Sequence, residues 1–359
     1  MTNHRRRSKI EFLMELRNDP DRKSLLQMIY ELFYLLLLQR EVPRHYFSRY
    51  LFKKGITNLK DYLPNKLLND EIPLLINDNS VKEVLDNKLY FDMFYRQFDL
   101  ALPKILMYNH KQMFVCGNSL AEVKNINGFT VLLEEIFAQN PSYDSMFIKK
   151  TYSSSSGNKI FKLLHHQLKH EPDVIKNLFD EVIKSEFLFQ ETVLQHPALN
   201  ILNPSCLNTV RIDTFIDSAG DINVVSALIR MSISNLHIDN VNAGGCYVGI
   251  LSETGRLKRL GYPSIKNGGV KILKEHPVTG TVFENYFVPF FPQVLELAIK
   301  AAGFMPGLRL IGWDVGIGES GPVLIEGNSN YEVSGSDLAY GGYLTNPVFR
   351  KVLHDIKYI

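Results

Sequence analysis

Asp314, Glu326 and Asn328 are the side chains in this 359-residue sequence whose types and spacing most suggest chemistry. They lie in RLIGWDVGIGESGPVLIEGNSN, residues 309–330, which predicts two strands around a turn at Gly318-Glu319-Ser320-Gly321-Pro322. Apolar runs bounded by Gly and Pro are the hairpin signal. Asp314 comes from the first strand, Glu326 and Asn328 from the second. Strand alternation puts Glu326 and Asn328 on one face. Two carboxylates and a carboxamide converging there suit a hard cation such as Mg2+, which takes oxygen ligands and shares them with phosphates. A lone Asp and Glu are more often solvated residues of a hairpin. The Asp…Glu-x-Asn grouping and the residues upstream favour the metal reading.

Upstream, cations recur at strand ends. Arg211 and Arg230 fall on the predicted strands 208–215 and 224–231, joined through a Gly220-Asp221 turn into one sheet. One strand arginine is usually a surface residue. Two at comparable positions make a phosphate clamp, because guanidinium pairs with phosphate bidentately. Lys149 closes a predicted strand over 145–150 and runs into a Ser/Gly loop over 151–161 that includes Ser155, Ser156 and Gly157. Such a loop can wrap phosphate oxygens with backbone N–H groups. Taken alone it is a weak signal, and it is not the P-loop pattern, which needs Gly-Lys-Ser/Thr opening a helix. Gln190 and Glu191 end another strand, 187–193. Asn240, Gly244 and Gly245 belong to a loop whose glycines permit close backbone approach to a ligand. His237 and His276 can bind an acidic substrate or shuttle a proton; a hydrogen-bonded structural role is the stronger reading.

The elements that must carry these residues are mixed. Residues 1–80 read as helical, with helices over 11–17 and 24–40. The second is apolar nearly all round, as in a helix buried on several sides or facing a partner. Its apolar core is too short for the roughly 20 residues of a spanning helix. The aromatic and basic stretch 45–55 reads as a packed helix with snorkelling lysines and a Gly stop, in preference to a polyanion site. Helices are predicted over 81–98, 121–139 and 288–302, a strand over 102–108, and a Gly-containing connection over 264–275.

With 45% hydrophobic and 22% charged residues the chain reads as an ordinary globular protein. A net charge of +2 makes no global demand for nucleic acid. The basic run His4-Arg5-Arg6-Arg7-Ser8-Lys9 is a local exception. It reads as a solvated tail, with an anionic partner or membrane surface as the alternative. Three scattered cysteines show neither metal-ligand spacing nor a disulfide framework. With no signal peptide in evidence, this fits a reducing cytosol.

The order of these features resembles the ATP-grasp superfamily over about residues 85 to 335. Leu207-Asn208-Thr209-Val210-Arg211-Ile212, Asp239-Asn240-Val241-Asn242-Ala243-Gly244-Gly245, His276-Pro277-Val278-Thr279-Gly280 and Ile311-Gly312-Trp313-Asp314 look more narrowly like the sugar-transfer-associated ATP-grasp family, found with surface-polysaccharide genes. The resemblance implies an α+β fold: two α+β lobes gripping ATP between antiparallel sheets, preceded by the N-terminal helical region. It divides the chain into 1–80, an N-terminal subdomain 81–144, a lid 145–192 and a catalytic subdomain 193–359. It assigns Lys88 and Lys149 to the α- and β-phosphates, with Lys150 open as a substitute because the usual following Pro is absent. Residues 153–159 become the mobile phosphate loop, with one Gly where many relatives have several. Gln190 and Glu191 become the adenine hinge, and Asn240 with Gly244-Gly245 the loop below the phosphates. Arg211 and Arg230 become the groups that neutralise the γ-phosphate and an acyl-phosphate. Asp314, Glu326 and Asn328 become ligands of Mg2+, or of Mn2+ in its place.

The implied activity is an ATP-dependent carboxylate–amine ligase in the cytoplasm, acting on small-molecule, sugar-linked acids and amines for surface polysaccharide. The alternatives are an ATP-grasp phosphotransferase acting on a hydroxyl and a non-catalytic nucleotide-binding partner of a membrane glycosyltransferase complex, docked through residues 1–80. No nucleic-acid partner is expected, and the oligomeric state stays open.

Overall fold

The computed structural model describes residues 9–152, 160–233, 244–265 and 269–359. The chain divides into two compact units. Glu83–Leu194 form one, and Met1–Lys82 together with Gln195–Ile359 form the other.

In the unit 83–194, β1 (Ile105–His110), β2 (Met113–Cys116), β3 (Ser119–Glu122), β4 (Ser145–Lys150), β5 (Ile160–Leu164) and β6 (Glu186–Glu191) form an antiparallel sheet ordered β3-β2-β1-β6-β4-β5. Helices Ile126–Gln139 and Pro172–Val182 bury their apolar faces with Met146, Ile148, Phe187 and Phe189 of the sheet. The helix expected over 81–98 is two, Glu83–Asp86 and Lys88–Arg96, broken at Asn87. The Asn87 carboxamide oxygen accepts from the Leu89 and Tyr90 amides, the N-cap arrangement that starts a new helix. The helix expected from 121 begins at Ile126, capped by Asn125, because residues 119–122 belong to an edge strand.

In the other unit, β7 (Thr209–Ile216), β8 (Ile222–Ser232), β9 (Gly245–Leu251), β10 (Arg256–Pro263), β11 (Leu310–Gly318) and β12 (Gly321–Asn328) form an antiparallel sheet ordered β10-β9-β8-β7-β11-β12. The predicted hairpin is present as β11–β12, with Glu319-Ser320 as its turn and Gly318 paired with Gly321. β7 and β11 are buried along their whole length. Their polar residues therefore need partners inside the protein.

Residues 9–82 are built into this same unit. Asn77 accepts from the Leu310 amide and donates to the carbonyls of Leu310 and Ser329. Arg49 forms a fully buried 2.8 Å ion pair with Asp337. Tyr50 donates to the carbonyls of Pro263 and Gly269. Gly342, at φ 103°, lies so close to Asp61 that a Cβ would meet its carbonyl oxygen at 2.6 Å. His45 is buried, and neither ring nitrogen meets a hydrogen-bond partner among the described residues. Burial first, and the Arg49 charge second, push its pKa down to about 3. Among the described residues no helix is long and apolar enough to cross a membrane.

Candidate functional site

Two groups of site residues form, one in each unit. In the unit 83–194 the pairing of β4 with β6 sets the first. Phe147 lies opposite Gln190 and Lys149 opposite Leu188. Alternation places Phe147, Lys149, Leu188 and Gln190 on the face away from the helix-packed core. Lys150, one residue on, takes the side of Met146 and Ile148. Lys149 thus shares a face with Gln190 and Lys150 does not. The Lys149 ammonium lies 6.0 Å from the Phe147 ring centre. The Lys88 amide donates to the carbonyl of Thr151, just beyond β4, at 2.8 Å, so the two lysine-bearing segments are stitched together. Glu191 turns the other way: its carboxylate accepts from the Lys104 amide and from the Tyr143 hydroxyl, so it ties β6 to its neighbours. Ser155, Ser156 and Gly157 lie outside the described residues.

The second group sits on the central strands of the other sheet. Asp314 of β11 lies opposite Arg211 of β7 on one side and Glu326 of β12 on the other. Arg211 Nε donates to Asp314 Oδ1 at 2.6 Å and its Nη2 to Oδ2 at 3.2 Å. Arg230 Nη2 reaches Asp314 Oδ2 at 2.7 Å. Thr209, opposite Arg230, accepts from its Nε and Nη2 at 3.1 and 3.0 Å and fixes the guanidinium plane. Asp314 is 1% exposed. Burial raises its pKa, the two arginines oppose that, and the nearby Glu326 adds to it. Burial weakens the protonation of Arg211, but the Asp314 carboxylate more than offsets it and the net shift is upward.

Tyr331, Asp213 and Asn208 support the cluster. The Tyr331 ring lies 5.4 Å from the Arg211 guanidinium. It fits because position 312 is glycine: a Cβ there would meet the ring at 2.8 Å. That explains the Gly in Ile311-Gly312-Trp313-Asp314, while Trp313 fills the opposite face and donates to Thr214 Oγ1 at 2.8 Å. Asp213 shares the face of Arg211 and accepts from Ser226, Ser336 and Tyr343. The Arg-x-Asp spacing on a strand was its legible signal. Asn208 is buried and holds the entry to β7 through Gln195, Leu199 and Asn203.

The metal expectation can be tested on these donors. A carboxylate offers about four acceptor directions. Three arginine contacts on Asp314 leave it room for one more. Glu326 and Asn328 are side by side, the Asn328 amide 3.5 Å from Glu326 Oε1. Among the described residues no three His, Cys, Asp or Glu side chains cluster for a metal. The third donor here is a carboxamide, a neutral oxygen that can complete a hard cation's shell beside two carboxylates. Asp314, Glu326 and Asn328 therefore fit the ion.

Gly244, at φ 101°, precedes Gly245, which opens β9 opposite Ser232. Asn240 and His237 lie outside the described residues. His276 is fully buried, with Nε2 2.8 Å from the Ser232 carbonyl and Nδ1 accepting from the Val278 and Thr279 amides. An imidazole so placed is neutral and holds a turn. Burial lowers its pKa against the Ser232 contact. Both ring nitrogens are thus engaged with backbone groups, the hydrogen-bonded arrangement of the structural reading.

No curated protein matches the chain. Solved structures that resemble it include an ADP complex of N5-carboxyaminoimidazole ribonucleotide synthetase (12% identity, TM-score 0.41, 70% of this chain and 46% of the other). A D-alanyl-alanine synthetase A from Vibrio cholerae O1 biovar eltor shows 11% identity and TM-score 0.43, over 76% of this chain and 66% of the other. A D-cycloserine synthetase shows 10% identity and TM-score 0.42, over 81% and 82%. The chain thus spans less than half of the first of these proteins. The family described as sugar-transfer associated ATP-grasp matches residues 67–352, both sheets and both groups of site residues included, and the chain belongs to that family.

Proposed function

We propose that this protein is an ATP-dependent carboxylate–amine ligase of the cytoplasm that supplies an amide-bearing building block to surface polysaccharide. The observation that carries the reading is the buried Arg211–Asp314–Arg230 cluster beside Glu326 and Asn328. Buried, strongly perturbed charges concentrate at functional sites, and this cluster adjoins two further oxygen donors. In the proposed reaction a substrate carboxylate oxygen attacks the γ-phosphorus of ATP and the bond to the β-phosphate oxygen breaks, leaving ADP. An amine then attacks the carbonyl carbon of the acyl-phosphate. Inorganic phosphate leaves, and the amine gives up a proton. Lys88 and Lys149 hold the α- and β-phosphates, and Gln190 borders the adenine. Arg211 and Arg230 take the charge that collects on the transferred phosphoryl group, a task of positioning and electrostatics. Mg2+ held by Asp314, Glu326 and Asn328 supplies further neutralisation when bound. The family association with sugar transfer supports the polysaccharide setting.

The test is titration calorimetry with ATP and Mg2+ on the full chain, beside Glu326→Gln. Mg2+-dependent binding that the variant loses is the expected result. ADP-forming turnover is then screened over pairs of sugar acids and amines, and an amide with free phosphate is expected. A phosphorylated alcohol as product, or no ATP binding by the folded wild type, overturns the ligase reading.

A further inference from the structure

The helix Leu25–Gln39 has two apolar faces and only one is covered. Met28, Glu31 and Leu35 point into the core with Tyr46, Leu51 and Phe52. Glu31 is the helix's only charged residue, and it is turned inward. Lys23 Nζ and the Tyr46 hydroxyl donate to it at 2.8 and 2.7 Å. The opposite face is left to Leu26, Ile29, Tyr30, Phe33 and Leu37, of which Leu26 is 82% and Tyr30 70% exposed. At 1.5 Å per residue the helix is about 22 Å long. Leu13 and Met14 of the preceding helix, Lys9–Asn18, are also exposed. An uncovered apolar face of this extent marks an interaction site.

Charge identifies the partner. Residues 1–60 hold 13 lysines and arginines against six acidic residues, a formal +7, whereas the whole chain is +2. The apolar face itself offers no charge and few hydrogen-bonding groups, whereas a protein interface of standard size carries about ten hydrogen bonds. Exposed Arg40 caps the helix's C-terminal end, exposed Arg17 lies on the preceding helix, and the basic run 4–9 comes before that in sequence. A second copy of this chain would bring two +7 segments together. A surface with hydrocarbon beneath anionic headgroups satisfies both the apolar face and its basic flanks. We infer that helix Leu25–Gln39 lies in the interface of an anionic lipid membrane, with Tyr30 and Phe33 among the acyl-chain boundary groups.

The experiment is flotation of the full chain with vesicles of phosphatidylcholine containing roughly a third phosphatidylglycerol. Co-flotation that weakens with added salt is expected. Phe33→Glu, and separately Leu26→Glu with Leu37→Glu, should lower the vesicle partition constant at least about tenfold. All three substitutions sit on an exposed face, so the thermal melt of either variant should be unchanged. Val131→Glu, an exposed apolar site in the other unit, should float like the wild type. The inference fails if the wild type ignores these vesicles, if neutral phosphatidylcholine vesicles bind it equally well, or if the variants float as well as the wild type. It also fails if sedimentation shows a wild-type dimer that the variants dissolve while vesicle binding is absent.

Discussion

Arg211, Arg230 and Asp314 are set on central strands, both guanidiniums paired with the one carboxylate, with Arg211 and Asp314 buried and Arg230 18% exposed. Lys149 and Lys88, in the other unit, are half-buried, one near the end of a strand and one at the start of a helix. The first arrangement is rigid. Its charges have given up hydration in advance, and its field is already aimed when a substrate arrives. The second puts charge on flexible four-carbon stems that can follow a ligand. Breaking the first should injure the fold, and breaking the second should injure binding alone.

Asp314→Ala is the severest test. It would leave two guanidiniums near the core without their carboxylate, at a cost of about 3–5 kcal/mol. Urea unfolding measures it, and an unchanged midpoint would end the distinction between the groups. Glu326→Gln comes next. Turnover should fall by roughly 10²–10³-fold, the scale of losing one preorganised electrostatic group, with stability changed by less than about 1 kcal/mol.

His45 sharpens the comparison through pH. Its folded pKa is depressed to about 3, well below the unfolded value of 6.5. Between those values the unfolded chain binds the extra proton, so this contribution is complete above pH 6.5 and is lost as pH falls toward 3. At pH 5 the loss is about 2 kcal/mol. His45→Gln should flatten that slope in a series of thermal melts.

Lys149→Ala should have the smallest effect, weakening ATP binding about tenfold, the equivalent of about 1.4 kcal/mol, with the melting temperature unmoved. Lys150→Ala should do less, because Lys150 takes the other side of β4. Calorimetry that reversed the two lysines would move the phosphate role to Lys150.

Much of this site was readable because its strands are punctuated. The β11–β12 hairpin is bounded by Gly and Pro, and Arg211 and Arg230 sit in β-branched runs on either side of Gly220. β9 and β10 escaped notice, since Gly249 and Gly261 interrupt their apolar alternation. Gly261 answers to packing, as a Cβ there would meet the Phe283 ring at 2.6 Å. The β2–β3 hairpin was missed because its strands are four residues long and mostly outward-facing. Asn87 and Asn125 could have been read as caps. Thr209 and Tyr331 could not have been assigned, because their roles depend on cross-strand register and on a ring folded back over Gly312. The second helix read correctly as apolar all round, but burial on several sides did not follow: one stripe meets the core.

The way residues 9–82 are stitched to the far end of the chain sets a timetable for synthesis. Residues 83–194 are contiguous and can close their sheet as soon as they leave the ribosome. Arg49 must wait for Asp337, and Asn77 for Ser329. At 5–20 residues per second that delay is on the order of tens of seconds. Through it, the apolar cluster that Leu25–Gln39 shares with residues 46–62 lacks Leu228, Tyr247, Val270 and Leu338, and the helix's outer face is bare as well. The nascent chain is therefore exposed to aggregation through this segment until Asp337 has been translated.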